Sequence, residues 1–246
     1  MNTTRLLAMA VLLIAMGVGL TGCGGTFLIS RGQEISIGQE AAADFERRNP
    51  VDRTSDRAIW LAAIGQRVAD AAQPPEYPYE FVLVRENVNN AFALPGGPIY
   101  VYDGLINTLG ADEDRVAWVC GHEAAHVRQQ HAIKRVERAM GAQLLIEWLL
   151  GGATERTIAS AVSMLSLQHY SRDNEFEADR MGVRFAAEAG YDPTAAIPVL
   201  ETFRELQARD PSDFEILFHS HPATTDRVDS VIRFIERHSY EGRYHP

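Results

Sequence analysis

The sequence predicts an α+β fold, mainly helical, with a small antiparallel β-sheet beside one central helix. Three observations predict it. Stretches with apolar residues three and four positions apart make up most of the chain. Two β-branched and aromatic runs lie close together between residues 79 and 102, and the turn formers Pro95-Gly96-Gly97-Pro98 stand between them. With 246 residues, 46% of them hydrophobic, the chain can bury one substantial core. It has no internal repeat, low-complexity tract or inter-domain linker, so residues 33–246 are expected to form a single domain.

Each element has its own signal. Gln33 to Arg48 carries an irregular apolar stripe and stops at Asn49-Pro50. Asp56 to Gln73 repeats Trp60, Ile64 and Val68 every four residues, the mark of an amphipathic helix, and ends at Pro74-Pro75. Tyr79 to Arg85 and Ile99 to Tyr102 are the expected strands, with a hairpin between them. After a short helix or turn from Asp103 to Leu109, a new helix begins at Asp112 to Asp114, where acidic residues favour the positive end of the helix dipole. Val136 to Leu167 is unusually apolar and broken by Gly151-Gly152. Neither half reaches membrane-spanning length, so a helical hairpin packed on the core is preferred to a membrane-dipping or dimerising surface. Helices are expected again over Tyr170 to Ala189, with Gly190 as C-cap, over Pro193 to Ala208, and over about Thr224 to Arg237.

The N-terminus reads as a targeting segment. Arg5 precedes an apolar run from Leu6 to Leu20, the length of a secretory segment and short of a membrane span. The run ends in Leu20-Thr21-Gly22-Cys23, which resembles the bacterial lipobox. Residues 1–22 are then a lipoprotein signal peptide, Cys23 the lipidation site, and 23–32 a lipid-anchored tether. Gly24, rather than Asp, after the cysteine fits an outer-membrane protein facing the periplasm. Acylation of Cys23 leaves only Cys120, so no intramolecular disulfide is expected, and Cys120 reads as a small buried apolar residue. A net charge of −10 without a basic stripe argues against nucleic acid as a partner.

One stretch carries chemistry. His122 and His126, four residues apart on the central helix, stack on one face and can hold a single zinc ion. Glu123, offset by one residue, stays off the ion but within reach of a water there, where a general base is needed. A catalytic zinc site requires a third protein ligand. His131 lies nine residues beyond His122, about 180° round a regular helix, and is expected to be a structural or surface residue. Later, Glu175 and Asp179 share a helical face while Glu177 points some 200° away. Glu175 as ligand with Asp179 behind a ligand imidazole is chemically sensible, and a surface-acidic helix equally accounts for the spacing.

The His-Glu-x-x-His stretch is followed about fifty residues later by Ser171-Arg172-Asp173-Asn174-Glu175-x-Glu177-Ala178-Asp179, and then by His221-Pro222 and Arg227. Together these resemble the HtpX and CaaX-prenyl-protease type of zinc metallopeptidase, in particular its soluble bacterial BepA-like and LoiP-like members. Asn90 to Gly97, with Ile99-Tyr100-Val101 and Gly104-Leu105, is similar to that family's sheet. The resemblance implies a zincin-type domain holding one Zn2+ through His122, His126 and Glu175, with Glu123 as base and Asp179 supporting a ligand. It also implies His221 as a candidate fourth ligand or regulator and Arg227 as electrostatic support. The function it implies is hydrolysis of misfolded or misassembled cell-envelope proteins. A chaperone-like or scaffold lipoprotein whose zinc site is blocked by its own His221 is the competing reading.

Overall fold

The computed structural model describes residues 29–73, 77–138, 170–209, 221 and 224–240. The signal segment, Cys23, most of the tether, the apolar stretch beyond residue 138 and His219 lie outside the described residues. Within them the chain is mainly helical with one four-stranded sheet, the α+β class expected.

Helix α1 (Arg31–Glu46) starts inside the expected tether, because Ser30 and Gln33 form a reciprocal capping box and Ile29 is buried against Ile37 and Ile133. Strand β1 (Val51–Asp52) leads to α2 (Asp56–Ala72), which buries Leu61, Ile64 and Val68. Strands β2 (Glu80–Val84), β3 (Ala91–Ala93) and β4 (Pro98–Tyr102) follow, then α3 (Asp103–Thr108) and α4 (Glu113–Arg128). Asp112 caps α4, and every residue from Val116 to Val127 is buried, which makes it the central helix of the domain. After a further helical stretch over 131–138 come α5 (Arg172–Glu188), a 3-10 turn (Pro193–Ala195), α6 (Ala196–Arg209) and α7 (Thr225–His238).

The sheet corrects one expectation. Its strand order is β1-β2-β4-β3, and β2 and β4 run parallel, with Glu80 opposite Pro98 and Val84 opposite Tyr102, so the sheet is mixed rather than antiparallel. The two strongest strand runs are therefore not hairpin partners. Residues 85–97 cross over, and within them Ala91–Ala93 forms the edge strand that pairs antiparallel with β4. Gly96 and Gly97, at φ 76° and 135°, make that reversal in a region that side chains disfavour. Both hydrophobic clusters that flank the sheet are well filled, with Ile99 and Val101 on the side of α2 and α4, and Val82, Val84 and Tyr100 on the side of α1.

Helices α4 and α5 cross at two glycines. A Cβ on Gly121 would meet the Gly182 carbonyl oxygen at 3.0 Å, and one on Gly182 would meet the His122 backbone nitrogen at 3.0 Å. This close approach lets acids on α5 reach histidines on α4. Gly121→Val is accordingly expected to lower unfolding stability by about 1–3 kcal/mol through overpacking, read as a lower urea midpoint; an unchanged midpoint would show that the crossing can relax.

Candidate metal centre

Helix α4 puts the imidazoles of His122 and His126 on one face, with their Nε2 atoms 3.1 Å apart. Helix α5, capped by Ser171, presents Glu175 in its first turn. Its carboxylate lies 3.4 Å from Nε2 of His126 and 3.7 Å from Nε2 of His122. His221 completes the group, with Nδ1 3.0 Å from Glu175 Oε1 and 3.3 Å from His122 Nε2. One donor atom from each of these four residues falls within 4.8 Å of the others, and all four residues are buried.

This donor set fits a zinc ion. Ligand atoms about 2.0–2.1 Å from a tetrahedral ion stand roughly 3.3 Å from one another, and five of the six separations here run from 3.0 to 3.7 Å. With the single proton of a neutral His122 on the Nδ1 that faces Asp179, its Nε2 presents one lone pair to two other imidazole nitrogens and the Glu175 carboxylate, more neighbours than one hydrogen bond can satisfy. A shared cation resolves that conflict, and nitrogen with carboxylate oxygen is zinc's usual company.

A second layer of charge surrounds the donors. Asp179 Oδ1 is 3.1 Å from Nδ1 of His122. Arg227, only 3% exposed, grips Asp179 with a two-pronged contact (Nε to Oδ2 at 2.8 Å, Nη2 to Oδ1 at 2.6 Å) and reaches Glu175 Oε2 with Nη1 at 2.8 Å. Burial opposes the charged form of Asp179, yet the Arg227 guanidinium holds its carboxyl below the usual range. Burial opposes ionisation of Glu175 too, and the charges of His221 and Arg227 overcome it and keep the carboxyl well down. For His126 burial wins, so its pKa falls well below the ordinary histidine value and the ring stays neutral, as a ligand must.

Glu123 faces this cluster without joining it. Its Oε1 is 3.6 Å from His221 Nε2, and among the described residues its buried Oε2 has no hydrogen-bond partner. A small recess of about 20 Å³ opens beside it, lined by Leu105, Val119 and Phe203 and by His122, Glu123 and His221. Cys120 is fully buried, and burial pushes its thiol pKa up, so it takes no part among the donors.

Two neighbours of His126 escaped the sequence reading. His131 is 1% exposed, its Nδ1 is 2.9 Å from Nδ1 of His126, and its Nε2 is 3.3 Å from Glu177 Oε2. The expectation of a regular helix fails at Gln130, whose left-handed backbone (φ 56°) ends α4 and turns His131 back towards the site. Burial pushes the His131 pKa down to about 4. No glycine marks that break, so nothing in the local sequence announces it. Tyr170 stacks on His126 with ring centroids 3.9 Å apart and carries the Arg135 guanidinium 4.4 Å from its own centroid.

Comparisons with known proteins point the same way. A family model described as peptidase family M48 matches residues 55–234. A beta-barrel assembly-enhancing protease of Escherichia coli K12 is 27% identical over 220 residues, which cover 85% of this chain and 44% of that protein. The mitochondrial metalloendopeptidase OMA1 of Arabidopsis thaliana is 33% identical over 150 residues, covering 61% of this chain and 30% of the relative. The chain thus spans less than half the length of these curated relatives. Among the described residues no helix is long and apolar enough to cross a membrane.

Proposed function

From the premise that the chain belongs to peptidase family M48, we propose that it is a zinc-dependent endopeptidase that removes misfolded or misassembled proteins of the bacterial cell envelope. The observation that carries the reaction is the buried Glu123 carboxylate beside a four-donor cluster, with one oxygen that has no hydrogen-bond partner among the described residues. His122, His126 and Glu175 would hold the ion, and Asp179 and Arg227 would fix their orientation and charge. When bound, zinc supplies a Lewis acid for the scissile carbonyl and lowers the pKa of water. Glu123 accepts the proton of the attacking water and returns it to the leaving amine. Strand β3, which among the described residues pairs with β4 alone and lies next to α4, would take an extended polypeptide as an added strand.

The envelope setting is supported by the Leu20-Thr21-Gly22-Cys23 sequence, which would tether the protein through lipid at Cys23 to the outer membrane on its periplasmic side. It is also supported by the E. coli relative, whose name places it in beta-barrel assembly.

One observation favours a second reading. His221 brings Nδ1 to 3.0 Å from Glu175 and 3.3 Å from His122, so as a fourth ligand it would take the position that a water needs. A chaperone-like or scaffold lipoprotein would keep it there. The test uses zinc-loaded wild-type protein and His221→Ala on an unfolded protein substrate, with and without a chelator. Chelator-sensitive cleavage that rises at least several-fold in His221→Ala is the expected result. No cleavage by either protein, with zinc bound in both, would favour the scaffold.

A further inference from the structure

We propose that His131 and Glu177 form a positioning relay for His126: His126 donates its Nδ1 proton to Nδ1 of His131, and His131 donates its Nε2 proton to Glu177. This rests on the metal-centre reading above, and it assigns work to two residues that the site otherwise leaves without any.

The proton assignment follows from the contacts. Nε2 of His126 faces the donor cluster, 3.1 Å from His122 Nε2 and 3.4 Å from Glu175 Oε1, so a metal-binding lone pair must sit there. The ring's remaining proton is then on Nδ1. That atom is 2.9 Å from Nδ1 of His131, and a contact between two ring nitrogens needs one donor and one acceptor. His131 is therefore the acceptor, its own proton belongs on Nε2, and the atom facing Nε2 at 3.3 Å is a carboxylate oxygen of Glu177.

The two ligand histidines are thus oriented by different means. Ligating imidazoles usually give their second N–H to a carboxylate or carbonyl. His122 has Asp179 for this directly, at 3.1 Å. His126 lies one turn further along α4, its Nδ1 faces His131, and the acid of α5 on the far side of His131 is Glu177, whose helical position turns it away from Glu175. His131 bridges the gap. It can do so only because the left-handed Gln130 breaks the helix, and Gln130 is itself held by a 2.7 Å hydrogen bond from its side-chain amide to Glu34 on α1. Tyr170, stacked on the face of His126, keeps the ring in the plane the relay requires. The Glu177 side chain is 43% exposed, so the relay runs from the buried ligand to the solvent.

Zinc affinity, measured by competition with a chromogenic chelator on the whole protein, tests the relay without any appeal to peptidase activity. His131→Phe keeps a ring and removes the acceptor, and is expected to weaken zinc binding about 10- to 100-fold. His131→Asn restores an acceptor at the δ position and should recover most of that loss. Glu177→Leu should weaken binding by a smaller factor, and Glu177→Gln, which keeps an acceptor oxygen, should stay near wild type. Equal losses in His131→Phe and His131→Asn, or none in either, would overturn the relay in favour of simple packing. Nitrogen-15 NMR of the zinc-loaded wild type gives a readout independent of any variant's folding: a proton on Nε2 of His131 is expected, and one on Nδ1 would overturn the proposal. A wild type that binds no zinc would instead overturn the metal-centre reading, and the relay with it.

Discussion

Glu123→Gln is expected to lower cleavage by the zinc-loaded protein by about 10²- to 10⁴-fold, the usual contribution of a positioned general base, while leaving zinc content and unfolding midpoint close to wild type. The substitution keeps the side chain's shape and removes only its ability to take a proton. Glu123 is not among the four clustered donors, and the oxygen that would receive the proton has no other partner among the described residues. Little else should therefore respond. Turnover and metal content measured on the same sample separate the outcomes. If the variant keeps more than a tenth of the wild-type rate with full zinc, another group supplies the base and the assignment fails. If zinc is lost along with activity, Glu123 has a part in holding the site that the geometry does not suggest.

Arg227→Met should have the largest effect on stability. It removes a fully enclosed guanidinium from between two buried carboxylates, Asp179 at 2.6 and 2.8 Å and Glu175 at 2.8 Å. Breaking a buried ion pair by deleting one partner costs about 3–5 kcal/mol, because the remaining charge is stranded out of water. The zinc-free protein, in which only His221 is left to offset Glu175, should show the larger loss in denaturant unfolding. A bound ion partly compensates Glu175, so the zinc-loaded variant should lose less. Adding Asp179→Asn should recover part of the deficit, since the two residues interact directly and their effects are not additive. A loss under about 1 kcal/mol in the zinc-free form would mean that water reaches these acids and that the pair is not sealed.

The sequence made some of this legible and hid the rest for identifiable reasons. The helices could be read because their apolar periods and end signals are local, as in the Trp60-Ile64-Val68 repeat and the acidic start at Asp112. His122, Glu123 and His126 could be read because all three belong to one helical turn. Glu175 and Asp179 required the family resemblance, because an i, i+4 acidic pair is common on any exposed helix. The parallel pairing of β2 with β4 was not visible, since three short runs can be ordered in several ways and the weakest of them, Ala91–Ala93, decides the order. His131 is structural rather than a donor, as expected, but its contact with His126 could not be read because it depends on one backbone angle at Gln130, a residue with no intrinsic preference for it. Arg227 could be named, but not its grip on both acids, which exists only once α7 has packed against α5.

That last contact bears on when the site is assembled. The chain is synthesised from its N-terminus, so the histidines of α4 and the acids of α5 emerge before the cation that neutralises those acids. Until α7 docks, Asp179 and Glu175 repel each other and have no reason to stay buried around His122. A chain in which α7 has not yet docked would have its donors in place without the guanidinium that holds the two acids together, so the last described helix completes the site as well as the fold.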